Sequence, residues 1–344
     1  MSILSDVVRM QFKAGDDVRD AGLITPASIE RFDNIAYGSD ATWQVLDVYR
    51  PKGTIAPVDV VPTSPTVPAD FLAESAAFGS AASTGVATAN GEASSDGAAS
   101  ANPGVPKTLP VIVSVHGGGW VYGDKERYQW YCMDLASRGF VVVNFTYRLA
   151  PEFKFPASME DTCAAFSWTL AHIGEYGGDA TRIFAVGDSA GGHMLGLFCN
   201  LCTNPYYAAR LALDVPKDFA PTAVAINCGV AEVKLTDDPV DLTSGLMVDF
   251  LEGGGTDEEL DLINVVEHVT AAFPPAFVMT CDGDFLYDQA FPLVARLREL
   301  KVVHELHVYG GKDEPLSHVF HCNMRSEDAR RCNDDECRFF RRFV

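Results

Sequence analysis

Positive charge is scarce in this chain of 344 residues: 26 Lys and Arg face 47 Asp and Glu, giving a formal net charge of -21. A surface of that sign repels a phosphodiester backbone, so no nucleic-acid partner is expected, and the acidity reads as solubility. Long apolar runs are missing too. No stretch reaches membrane-spanning length, and Met1 to Met10 lacks the basic region, apolar core and small-residue cleavage site of a secretory leader. Disulfide patterning is also absent, because the nine cysteines are odd in number and form no repeated C-x-x-C pair. That distribution fits reduced thiols, and the expected compartment is cytoplasmic. Cys332 and Cys337, with His321 and Cys322 upstream, match no common zinc spacing, and neither a metal nor a cofactor is expected.

What is present is ordinary globular material, 47% hydrophobic and 21% charged, in a length that suits one large α/β domain spanning 1–344. Residues 110–115, 140–145, 183–186, 223–227, 276–280 and 304–309 are short apolar or alternating runs of strand length. The continuous ones predict strands buried on both faces. Helical spacing fills the intervals at 128–138, 156–172 and 289–300, with a further helix after Ser189 and a closing one over 326–343. Strands alternating with helices predict a mostly parallel sheet covered on both sides. Residues 43–51 alternate like a half-buried strand that stops at Pro51. Two segments lie outside this rhythm and are read as cap elements: 1–34, as one or two short helices, and the acidic stretch 230–270. Residues 53–107 are rich in Pro, Ala, Ser, Thr and Gly. Such a composition buries too little apolar area to offset chain entropy and predicts a flexible insertion.

The chemistry gathers where an apolar run ends in Gly187-Asp188-Ser189-Ala190-Gly191. A strand turning into a helix through small residues puts the central serine on a tight turn with its hydroxyl clear of the backbone, so Ser189 is the candidate nucleophile. Glycines at 187 and 191 are expected for lack of room. A serine at neutral pH needs a base, a carboxylate to orient that base, and donors for the developing oxyanion. The carboxylate candidates are Asp282, Asp284 and Asp288, just past the strand at 276–280. The base candidates are His318 and His321, in the loop after the last strand. For the oxyanion, the strand ending at Val115 runs into His116-Gly117-Gly118-Gly119-Trp120, whose bare backbone can turn its amides inward, and the amide of Ala190 adds another. His193 lies four residues after Ser189, on the helix beneath it, and reads as a packed or backbone-bonded residue.

These stretches, in this order, make the chain similar to the hormone-sensitive-lipase-like group of α/β-hydrolase carboxylesterases. The resemblance runs from about Trp43 to Phe320 outside the insertion, through His116 to Trp120 with Gly123, Tyr147 to Glu152, Phe155 to Ala157, Glu160-Asp161, Gly187 to Gly192, Asp284 to Asp288 and His318 to Phe320. It implies an α/β-hydrolase fold with a helical cap, and a catalytic triad of Ser189, His318 as base and Asp284 as orienting acid. Gly118, Gly119 and Ala190 become the oxyanion hole, with His116 and the Tyr147 to Glu152 segment as supporting structure. The activity it implies is a cofactor-free serine esterase acting on a small-molecule carboxylic ester with a short acyl chain. An amidase or peptidase on the same triad, and a non-catalytic binding homologue, are the alternatives. Two departures stand out: His193 where such proteins carry asparagine, and Phe285 where they often carry proline. Oligomeric state is not legible.

Overall fold

The computed structural model describes residues 2–53, 108–236, 241–311 and 315–344. Eight strands form one sheet: β1 (Ile29–Ala36), β2 (Val45–Pro51), β3 (Leu109–Val115), β4 (Val141–Phe145), β5 (Gly178–Asp188), β6 (Val224–Asn227), β7 (Ala276–Cys281) and β8 (His304–Tyr309). Their spatial order is β1-β2-β4-β3-β5-β6-β7-β8. β1 and β2 enter antiparallel, and every pair from β4 through β8 is parallel. The helices are α1 (Ile3–Asp20), α2 (Lys125–Ser137), α3 (Ala157–His172), α4 (Ala190–Thr203), α5 (Pro205–Leu211), α6 (Leu242–Phe250), α7 (Asp257–Leu262), α8 (Val265–His268), α9 (Ala290–Glu299) and α10 (Glu327–Phe340).

Alternation along each strand divides the core in two. Val111, Val113 and Val115 of β3 face one side, with Met159, Leu195 and Leu293 from α3, α4 and α9. Ile112 faces the other, with Tyr131 and Met133 of α2 and Phe339 and Phe340 of α10. Parallel strands covered in this way read as unbroken apolar runs, which is why β3 and β4 stand out in the sequence. Local signals set the helix ends. Asp124 accepts a hydrogen bond from the Arg127 amide to cap α2, and Thr256 with Glu259 forms a capping box on α7.

The N-terminal segment corrects one expectation. Only Ile3–Asp20 is helical, and Ile29–Ala36 is an antiparallel strand paired with β2. The spacing of Ile29 and Phe32 resembles a helix, but in β1 Glu30 accepts across the sheet from Arg50 Nε at 2.8 Å, and Arg31 pairs with Asp33 along the strand at 2.9 Å. α1 lies against α6, where the hydroxyls of Ser2 and Ser5 donate to the Asp249 carboxylate. Arg9 ties α1 to the loop after β3 and to the segment after β4, donating to the carbonyls of Val121 (2.7 Å) and Ala150 (2.8 Å) and to Glu152. Between 230 and 270 the described residues carry α6, α7 and α8. The expected insertion over 53–107 lies, but for Gly53, outside the described residues. All nine cysteines are unpaired, eight of them buried and Cys202 partly so.

Candidate active site

Ser189 sits between the end of β5 and the first turn of α4, with φ 52° and ψ -122°. A side chain at positive φ is strained, and neighbouring glycines make the turn possible. A Cβ on Gly187 would lie 2.5 Å from the Gly191 carbonyl oxygen, and one on Gly191 would lie 2.1 Å from that of Val115. The steric reason expected for both glycines is therefore present. The loop after β3 is equally constrained: Gly118 has φ +121°, and a Cβ there would meet Tyr122 O at 2.1 Å. Among the described residues the amides of Gly118, Gly119 and Ala190 donate to no protein acceptor.

Asp284 follows β7, and its Oδ1 lies 2.8 Å from His318 Nδ1 and accepts from the Leu286 amide at 2.7 Å. Burial pushes the pKa of Asp284 up, but the contact with His318 outweighs it and holds the carboxyl below its ordinary value. His318 and Ser189 line one cavity of about 270 Å³, together with Gly117 and Gly118. Ser189 also borders a recess of about 20 Å³ that shares Phe12 and Phe285 with this cavity and is otherwise lined by Gly119, Trp120, Ala190, Val230, Leu246 and Leu286 among others. The alternative residues lie elsewhere. Asp282 Oδ1 accepts from the Leu316 amide at 2.9 Å and so shapes the loop before His318. His321 is fully buried edge-on to Tyr131, and burial lowers its pKa to about 3. Asp288 lines, with Glu232 and Asp241, an adjoining cavity that shares Leu242, Thr243, Phe285 and Leu286 with the recess but not Ser189.

His193 is a buried strut: it accepts from Trp120 Nε1 at 3.2 Å and lies 2.6 Å from Ile263 O, so Nε2 carries the proton. Burial lowers its pKa to about 4, which keeps it neutral. His116 stacks on Tyr147 at 4.0 Å, and the Tyr147 hydroxyl donates to His116 O at 2.8 Å. Arg148 grips the buried Asp161 through Nε and Nη2, each at 2.9 Å, which accounts for those two motif positions as scaffold.

Sequence reasoning missed two groups. The first is Asp188 with Tyr128. The Gly117 amide donates to Tyr128 Oη (2.9 Å), which donates to Asp188 Oδ2 (2.7 Å), linking the glycine loop to the serine turn. Burial pushes Asp188 up to about 6. The second is α1, whose Phe12, Gly15, Asp16 and Arg19 line the larger cavity. Their spacing on one helix face was the available signal. Asp16 accepts from Tyr122 Oη at 2.8 Å and pairs with Arg19 at 2.9 Å. Among the described residues, the one set of three donors close enough to share an ion is Cys228, Cys281 and Asp284, within 4.8 Å of one another. The tail cysteines do not belong to it.

A sheet of this order, with a serine on a strained strand-to-helix turn and a histidine held by a carboxylate lining one cavity, points to the hydrolase class of α/β protein. Comparison agrees: the family model described as alpha/beta hydrolase fold matches residues 112–321, and the chain belongs to that family. It is 32% identical over 205 residues to the carboxylesterase NlhH of Mycobacterium tuberculosis, a match covering 54% of this chain and 60% of that protein. It is 26% identical over 204 residues to the versiconal hemiacetal acetate esterase of Dothistroma septosporum, covering 56% and 62%. The chain thus spans under two thirds of the length of these curated relatives. Among solved structures it resembles esterase B from Lactobacillus rhamnosis at a TM-score of 0.76 and 23% identity, over 99% of this chain and 97% of that one. It also resembles an esterase from Pyrobaculum calidifontis at 0.66 and 21%, over 99% and 93%. At those identities the likeness concerns the fold. Among the described residues no helix is long and apolar enough to cross a membrane.

Proposed function

We propose that the chain is a serine carboxylesterase that cleaves short-acyl esters of small molecules through an acyl-enzyme. The observation that carries this reading is the Asp284–His318 contact of 2.8 Å at the wall of the cavity that Ser189 also lines. Ser189 is the nucleophile, His318 takes its proton, and Asp284 fixes the imidazole so that the nitrogen away from the carboxylate faces the serine. The amides of Gly118, Gly119 and Ala190 receive the oxyanion, and their lack of protein acceptors supports that role. The recess of about 20 Å³ beside Gly119 and Ala190 supports a short acyl chain, since it has room for little more than a methyl group. A relative is named for hydrolysing an acetate, which agrees. α1 and the 241–268 region, which meet through Ser2, Ser5 and Asp249, act as the cap. Ser189→Ala is expected to fold normally and to lower kcat/KM on p-nitrophenyl acetate by at least about 10³-fold, with loss of fluorophosphonate labelling. Turnover near the wild-type rate in that variant would remove Ser189 from the role.

A further inference from the structure

The two spaces that meet at Ser189 are unequal, and the inequality bears on which half of the ester is large. The larger, about 270 Å³, contains His318, Phe12, Gly15, Asp16 and Tyr122 in its wall. The smaller, about 20 Å³, is bounded by Gly119, Trp120, Ala190 and Leu246. A cavity of roughly 150 Å³ is enough for benzene, and roughly 10–15 Å³ is enough for one water. The larger space therefore suits a bicyclic group and the smaller a methyl.

Proton transfer sets the orientation. The group that takes the serine proton must give it to the oxygen that leaves, so the alkoxy oxygen has to lie on the side of His318. That side is the large cavity. The acyl substituent is left with the recess beside Gly119 and Ala190. We infer that the substrate is a short-chain ester, acetate in the first instance, of a bulky and largely apolar alcohol of bicyclic size, seated under α1. This inference rests on the serine esterase reading above.

The wall chemistry agrees. Phe12, Phe285 and Val319 supply apolar surface, while Asp16 and Tyr122 offer a polar edge at which a hydroxyl of the alcohol can be accepted. Phe285 is 60% exposed, its ring centroid stands 4.5 Å from that of His318, and it borders both the large cavity and the recess. Gly15 is the telling residue. It lies inside α1, where glycine is the poorest helix former after proline, and a Cβ there would meet nothing within 4 Å. No packing constraint accounts for it, and it lies in the wall of the large cavity, where a side chain would have open space to extend into.

In the reaction the Ser189 Oγ–acyl bond forms as the acyl–alkoxy bond breaks, and the serine proton travels through His318 to the alkoxy oxygen. The alcohol departs from the large cavity. Water enters in its place, gives a proton to His318 and bonds to the acyl carbon, and the serine oxygen leaves with that proton.

The test uses an isomeric pair with the ester reversed, 2-naphthylmethyl acetate and methyl 2-naphthylacetate, so that total size and alkyl leaving-group character are matched. The acetate is expected to show a kcat/KM at least about tenfold higher, since a group too large for the small recess costs that much or more. Gly15→Leu, whose Cβ meets nothing within 4 Å and which adds a side chain at the wall of the cavity, is expected to cut that preference at least about fivefold, chiefly through KM on the acetate. Equal or reversed rates for the two isomers overturn the orientation while leaving the esterase standing. An unchanged preference in folded Gly15→Leu also overturns it. If neither isomer nor p-nitrophenyl acetate is hydrolysed and Ser189 resists fluorophosphonate, the esterase reading falls and this inference with it.

Discussion

The thiol of Cys281, the last residue of β7, donates to the carbonyl oxygen of Leu316 at 3.2 Å, two residues before His318. It also reaches Ser317 O at 3.3 Å, while the Gly283 amide donates to the same Leu316 carbonyl at 3.0 Å. The strand that delivers Asp284 is thus sewn to the loop that delivers His318, next to the contact between them.

Removing that thiol should loosen the pair without touching substrate. Cys281→Ala is expected to lower kcat about tenfold with little change in KM, because small displacements of a positioned group are costly. Cys281→Ser, which keeps a donor, should recover most of the loss. Steady-state kinetics on p-nitrophenyl acetate reads both variants, and equal kcat in wild type and Cys281→Ala would show the tie to be idle.

Gly118 combines φ +121° with a Cβ position 2.1 Å from Tyr122 O. Any side chain there must move the loop proposed to present the oxyanion amides. Gly118→Ala is expected to lose about 10² to 10³ in kcat, the range for a lost oxyanion donor, while fluorophosphonate still labels Ser189 slowly. Activity within twofold of wild type would place the oxyanion elsewhere.

Glu336 gives the fold a pH dependence of unusual sign for a carboxylate. It is buried, accepting from Asn227 Nδ2 at 2.6 Å and from Tyr131 Oη at 3.0 Å, and burial pushes its pKa from an ordinary 4.5 up to about 7. The folded chain therefore holds this proton after the unfolded chain has released it. Its contribution to stability is complete below the unfolded pKa and is lost as pH rises through about 7, with a total of about 3 kcal/mol. Urea unfolding at pH 5 and pH 8 should show Glu336→Gln gaining on wild type at the higher pH. A constant difference between the two proteins would contradict the assignment.

The proposed reaction centre was more legible than its surroundings. Ser189 and Asp284 follow strands that the sequence announces by apolar runs, His318 follows an alternating one, and the family resemblance picks Asp284 and His318 from their neighbours. His318 separates from His321 only in three dimensions, where one ring lines a cavity and the other is packed against Tyr131. β1 was hidden because an antiparallel strand near the sheet edge spends charged residues on cross-strand pairs, which blurs its period of two. The Tyr128–Asp188 link joins residues 60 apart that no local pattern connects. α1 was foreseen as a helix that packs over another surface, but that its Gly15 lines the cavity of Ser189 depends on where Arg9 and Asp249 anchor it.

The distribution of sulfur has a practical corollary. With eight of nine thiols sequestered on the two sides of the sheet, a bulky aromatic disulfide reagent finds almost nothing to attack until the layers part. Colour released by such a reagent would then count open molecules, giving a clock for how often the native protein breathes.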